Sequence, residues 1–192
     1  PLVISLHAGA TWPAQQEHLS RWDRLADRDG FLVVYPAGDG EIGFLDLPRI
    51  WPVERAADRE EDVRFLSALI DTLEAQYNVD PARIYANGMS QGGAMAFVLS
   101  CELSGRIAAV GTVSAAQALP FEWCESRRPV PLIAFHGTDD RLAPYDGGPL
   151  GDPFSPVKPV YPPVRDFAAS WARRNLCEST PAESQSAPHV DR

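Results

Sequence analysis

Two short runs near the start of the chain, residues 2–6 (LVISL) and 31–35 (FLVVY), are apolar without alternating. Strands buried on both faces of a parallel sheet read this way, because neither face meets water. Between them a helical pattern puts Leu19, Trp22, Leu25 and Ala26 on one face, and Asp29-Gly30 stops it. Residues 37–58 hold Gly38, Gly40, Gly43, Pro48 and Pro52 and predict a long irregular loop. Val63, Leu66, Ile70, Leu73 and Tyr77 then recur at three- and four-residue steps, the strongest helical signal in the chain, ended by Asp80-Pro81. Further apolar strands are predicted at 83–86, 107–113 and 131–135, with a small-residue helix from Ala94 to about Leu103. Seven prolines from Pro144 to Pro163 predict a rigid surface loop, since proline neither donates to a ladder nor continues a helix. A last helix carries Val164, Phe167, Ala168 and Trp171 on one face. Strand and helix alternate throughout, which predicts an α/β fold built on a doubly wound, mostly parallel sheet.

The chain's 192 residues suit one domain, expected over 1–177, with a loose polar tail over 178–192. It opens inside an apolar strand and ends without a closing element, so it reads as a fragment of a longer protein, lacking its first strands and its C-terminal strand. No run approaches the roughly 18 apolar residues of a membrane span. A net charge of −9 repels phosphate backbones and anionic lipid, which argues against nucleic-acid and membrane-surface roles. Cys101, Cys124 and Cys177 form no CxxC pair, so nothing suggests a metal. Three buried thiols and one disulfide both stay open on the residues alone.

The chemistry centres on Gly88-Met89-Ser90-Gln91-Gly92, a G-x-S-x-G pattern. An apolar strand runs into it and a small-residue helix leaves it, which is the setting of a nucleophile elbow. The glycines two before and two after the serine leave room for backbone that a Cβ would strike. Serine is a weak nucleophile at neutral pH and needs a base oriented by an acid. In this kind of fold the acid follows the serine, and Asp139 and Asp140 both stand just after the strand at 131–135. The base is harder to find. His189, the one histidine beyond Asp140, lies in a Pro- and Ser-rich tail and reads as a tail histidine. His7 and His136 each end an apolar strand and read as hydrogen-bonded residues shaping the sheet's carboxyl edge, and His18 reads as an exposed helix residue. The simplest account places the catalytic histidine outside this chain. An acyl-transfer site also needs oxyanion donors. The N–H of Gln91 is one candidate, and the N–H of Gly9, in the small-residue loop His7-Ala8-Gly9-Ala10, is the other.

These stretches, together with Asp27–Pro36 (DRDGFLVVYP), Trp51, Asp62-Val63, Phe65-Leu66, residues 77–85 (YNVDPARIY) and His136-Gly137-Thr138 with Asp140, Pro144 and Tyr145, resemble the polyhydroxybutyrate depolymerase and feruloyl or acetyl-xylan esterase family of α/β-hydrolases. The resemblance runs to about Cys177. It implies Ser90 as nucleophile, Asp140 rather than Asp139 as acid, no cofactor, and a histidine in a Gly-His segment before Trp-Pro that this chain does not contain. It also implies export, a Cys101–Cys124 disulfide, and a Cys177 partner outside the chain. Ala8 and Ala10 depart from the family's usual glycines, and Arg141 and Ala143 from its usual Pro and Val. The substrate implied is a polyester, or a phenolic or acetyl ester on a polysaccharide. The alternative is a catalytically incomplete module that binds such polymers, with Trp12, Trp51 and Trp123 as stacking rings; partly buried packing is the favoured role for these three.

Overall fold

A computed structural model describes residues 1–38, 50–53, 56–115, 124, 128–151, 160–178, 180–182, 184–187 and 190–191. Five strands form one parallel sheet: β1 (Leu2–Leu6), β2 (Leu32–Val34), β3 (Ile84–Met89), β4 (Ala109–Val113) and β5 (Leu132–Phe135). Their spatial order is β2-β1-β3-β4-β5. In register, Leu2 pairs with Leu32 on one side and Ile84 on the other, Met89 with Val113, and Val113 with Phe135. The chain thus winds one way from β1 to β2 and the other way from β3 to β5. The crevice at the carboxyl ends of β1 and β3 is the switch point, where open α/β sheets bind ligands.

All five residues of β1 are buried, four of them apolar and the fifth, Ser5, with its hydroxyl hydrogen-bonded. The core joins Leu2, Ile4 and Leu6 to Ile84, Val110, Leu66 and Ile70, and to the helix α4 (Gln91–Glu102). This helix is buried from Met95 to Cys101, so it reads as apolar all round rather than on one stripe. Phe97 packs its ring 6.0 Å from Phe167 and 5.3 Å from Trp171 of α5 (Val164–Arg174), and the Trp171 indole N–H donates to the Val130 carbonyl. The long helix α3 (Ala56–Gln76) covers the same face through Leu66 and Ile70.

The structure departs from the sequence expectations in several places. The single helix expected around Leu19 to Ala26 is two helices, α1 (Pro13–Ser20) and α2 (Trp22–Asp29). Arg21 sits between them in the left-handed conformation (φ 53°), and Leu19 is exposed. Neither glycine nor proline marks that break, so the pattern alone hides it. Gly30 ends α2 in the same conformation, as Asp29-Gly30 signals. Tyr77, placed on the apolar face of α3, lies past its last turn and is exposed. The β5 run is apolar yet leaves Ile133 and Phe135 more than half exposed (59% and 56%); among the described residues β5 is the last strand in the order. At the two ends of the proline-rich segment, β6 (Gly148–Pro149) pairs antiparallel with β7 (Val160–Tyr161). In the polar tail β8 (Gln185–Ala187) pairs with β9 (Val190–Asp191). Among the described residues no helix is long and apolar enough to cross a membrane.

Cys101, at the end of α4, is disulfide-bonded to Cys124, 23 positions on, as the family resemblance implies. Cys177 is an exposed free thiol. Closing a loop of this length stabilises by about 3 kcal/mol, chiefly through the unfolded chain. Cys101→Ala with Cys124→Ala is therefore expected to lower the unfolding free energy by about that amount. Urea denaturation compared with the oxidised parent checks it.

Candidate active site

β3 runs straight into α4 through one residue, Ser90. Its backbone stands at φ 51° and ψ −120°, a conformation that costs a non-glycine residue on the order of 1–3 kcal/mol. The strain is held by neighbours. The Ser90 N–H donates to the Val113 carbonyl at 2.8 Å, and the Ala94 N–H donates to the Ser90 carbonyl at 3.0 Å. A Cβ on Gly88 would lie 2.3 Å from the Gly92 carbonyl carbon, and one on Gly92 would lie 2.3 Å from the Leu6 carbonyl oxygen. The two glycines let strand, turn and helix pack backbone to backbone, and Ser90 is left exposed at the tip.

The loop after β1 lies beside this turn. The Thr11 hydroxyl donates to the Ala8 carbonyl at 2.6 Å. Beneath it, His7 is fully buried. Its Nδ1 lies 2.8 Å from the Ala8 carbonyl, and its Nε2 accepts the Gly38 N–H at 3.1 Å. A carbonyl accepts only, so Nδ1 carries the proton and the ring is neutral in this arrangement. Trp51 packs its indole 5.2 Å from the His7 ring and donates its Nε1–H to the His7 carbonyl at 3.1 Å. Its own backbone N–H donates to Oε1 of Gln91 at 2.9 Å. Deeper in the sheet, the Gln16 amide donates to the Ser5 hydroxyl, which donates to Oδ1 of Asn87, tying α1 to β1 and β3.

On the far side, Asp140 follows β5. Its Oδ1 accepts the N–H groups of Leu142 and Ala143, each at 2.9 Å. Burial raises the Asp140 carboxyl, but the Ala143 amide, the Ser114 hydroxyl, the Leu142 amide and His136 together hold it below its ordinary value of 3.8. Asp140 is thus ionised at neutral pH. His136 donates Nε2–H to the Ala143 carbonyl at 2.8 Å and keeps that nitrogen 3.6 Å from Oδ2 of Asp140. Asp139 is exposed and, among the described residues, takes no comparable set of donors. Ser114, at the end of β4, was not singled out by motif. Its left-handed backbone (φ 47°) and its N–H bond to the Phe135 carbonyl set its hydroxyl against Asp140. A polar residue directly after an apolar strand was the available signal.

The structure therefore brings Gly9, Ser90 and Gln91 together at the switch point and puts Asp140 on the same sheet edge, two strands from Ser90, roughly 10 Å at the usual strand spacing. His18 lies on the exposed side of α1. Trp12 is 43% exposed, whereas Trp51 is completely buried and packs rather than presents its ring. His189 and Trp123 lie outside the described residues.

A parallel sheet whose switch point carries a strained Gly-x-Ser-x-Gly turn between strand and helix defines an α/β-hydrolase. The chain belongs to the esterase PHB depolymerase family, whose model matches residues 1–119. It is 32% identical over 145 residues to the bifunctional acetylxylan esterase/xylanase XynS20E of Neocallimastix patriciarum, covering 76% of this chain and 20% of that protein. It is 29% identical over 188 residues to feruloyl esterase B of Piromyces equi, covering 96% of this chain and 34% of that one. The chain thus spans about a fifth to a third of the length of these two relatives. Among solved structures, esterase PE8 matches with a TM-score of 0.65 at 21% identity, covering 97% of this chain and 83% of that one. SOBER1 of Arabidopsis thaliana matches with a TM-score of 0.64 at 16% identity, covering 92% and 84%. At these identities the structural matches establish the shared fold.

Two outcomes follow from the geometry. Gly92→Ala places a Cβ against the Leu6 and His7 carbonyl oxygens and is expected to cost about 3 kcal/mol of stability, read by urea denaturation. Asp140, with its folded-state value depressed, contributes stability that is fully present above its ordinary value and is lost as pH falls through the folded one. The stability gap between the parent and Asp140→Asn should stay constant from neutral to mildly acidic pH and close below 3.8. A denaturation series across that range checks it.

Proposed function

We propose that this chain carries the nucleophile, the acid and the oxyanion donors of a carboxylic ester hydrolase that works through an acyl-enzyme. The observation that carries the reading is Ser90, held exposed and strained between β3 and α4 at the switch point. The Ser90 Oγ attacks the ester carbonyl while a histidine takes its proton. The N–H groups of Gln91 and Gly9 hold the oxyanion, the first with the help of the unpaired amides at the start of α4. Collapse of the tetrahedral species expels the alcohol, protonated by the same histidine, and water then frees the acid from Ser90. Asp140 stays ionised, as its donors favour, and steadies the imidazolium. His7 and His136 have ring nitrogens committed to backbone groups, so the base in this reading comes from outside the described residues.

The substrate class is an ester on a plant polysaccharide, feruloyl or acetyl, with polyesters as the second candidate. The names of the relatives above support the first. The disulfide fits an exported protein. No step in this chemistry requires a cofactor.

In the full-length gene product, Ser90→Ala is expected to lower the hydrolysis of ethyl ferulate and p-nitrophenyl acetate at least about a thousandfold without loss of folding. A fluorophosphonate should label the parent at Ser90 and leave the variant unlabelled. An unchanged rate in Ser90→Ala would overturn the reading.

A further inference from the structure

The backbone of residue 91 belongs to the proposed oxyanion site, but its side chain has a separate set of contacts. Its Oε1 accepts the Trp51 N–H at 2.9 Å. The same side chain lies against the loop after β1: a Cβ on Gly9 would stand 2.9 Å from Oε1, 3.4 Å from Cδ and 3.5 Å from the Gln91 Cβ. Trp51 in turn grips that loop from below, through its indole bond to the His7 carbonyl and its packing on the His7 ring. The contacts close into a ring: Gln91 side chain to Trp51 backbone, Trp51 indole to His7, and His7 through Ala8 to Gly9, which rests on Gln91. Every joint except the one at Gln91 is backbone, or a ring that is fully buried.

The geometry points to the Gln91 carboxamide as a positioning residue that sets the spacing of the two oxyanion donors. One donor, the Gln91 N–H, is fixed by the elbow. The other, the Gly9 N–H, rides on a loop whose nearest support on that side is the Gln91 side chain. Trp51 keeps the carboxamide turned toward that loop, because its N–H holds Oε1 in place. Oxyanion donors act over a few tenths of an ångström, and they act in the transition state more than in the bound ester. Loosening this prop therefore slows the chemical step while leaving substrate binding nearly intact. The inference rests on the esterase reading of Ser90.

The test uses the full-length protein and a matched pair of substrates, p-nitrophenyl acetate and its thionoester. Sulfur accepts hydrogen bonds poorly, so the preference for the oxygen ester reports the quality of the oxyanion site. Gln91→Met keeps the length of the side chain and removes the carboxamide. Its expected result is a fall in kcat of about tenfold or more, with KM within about twofold, and an oxygen-to-sulfur preference that falls toward one. Gln91→Asn, which keeps the amide on a shorter stem, should lie between parent and Met. A double-mutant cycle gives an independent arm: Gly9→Ala should be costly in the parent, where its Cβ meets Oε1, and close to neutral in Gln91→Ala, where that space is open. An unchanged kcat in Gln91→Met, an equal loss on both esters, or an additive cycle overturns the inference. These results leave the esterase reading untouched, since that reading falls only if Ser90→Ala keeps its rate.

Discussion

Where α4 leaves the sheet, main chain rests on main chain. The Gly92 α-carbon faces the carbonyl oxygens of Leu6 and His7, with no room for even one carbon between them, and Gly88 faces Gly92 in the same way. Much else follows from that approach. It brings the first turn of α4 over the end of β1, so the loop after β1 and the amides at the start of α4 share one opening. It forces the turn between β3 and α4 to be a single residue, and that residue takes the strained conformation which leaves its hydroxyl in solvent. The strain is affordable because α4 is buried on nearly every side and cannot relax outward.

The parallel sheet and most of its strands are legible in the chain because burial on two faces leaves a simple mark: short apolar runs, each followed by small or polar residues. β1, β3 and β4 carry that mark and lie close to where it places them, although β3 runs on past the apolar 83–86 to Met89 and β4 starts two residues later than the apolar run, with Ile107 buried in the turn before it. The elbow is legible for a related reason, since close backbone approach can be met only by glycine, and glycines at fixed spacing are visible. What the pattern hides has equally physical causes. The break at Arg21 is made by a left-handed residue with no glycine to announce it. Among the described residues β5 is the last strand in the order and is partly exposed, and an apolar run looks the same at an edge as in the middle.

The supports behind the site are the least legible part. Trp51 stands in a stretch read as irregular loop, where its ring reads as packing first and as a stacking platform second. Only the fold shows that it is buried against His7 and that its backbone meets Gln91. Buried histidine usually signals either chemistry or a committed hydrogen-bond pair, and here the Gly38 N–H and the Ala8 carbonyl commit both nitrogens of His7. His136 is likewise engaged with a carbonyl, that of Ala143. Two of the histidines that sequence order makes awkward as bases are thus accounted for by the structure as parts of the frame.

The two sides of the candidate site are built by different physics. Around Ser90 and Gly9 the parts are held by close backbone contact, by the Gln91 carboxamide and by the hydrogen bonds of Trp51 and neutral His7, with no charged group among them. Around Asp140 they are held by three donors converging on one negative charge, two backbone amides and the Ser114 hydroxyl, with His136 Nε2 3.6 Å away. That second arrangement is only as strong as the carboxylate is ionised. It also separates Asp140 from its neighbour as the candidate for an orienting acid. Asp139 has the same chemistry and nearly the same address, but it is exposed, and among the described residues no comparable set of donors defines the direction of its lone pairs. A carboxylate that is to orient an imidazole has to be oriented first, and of these two neighbouring aspartates Asp140 is the one with such donors among the described residues.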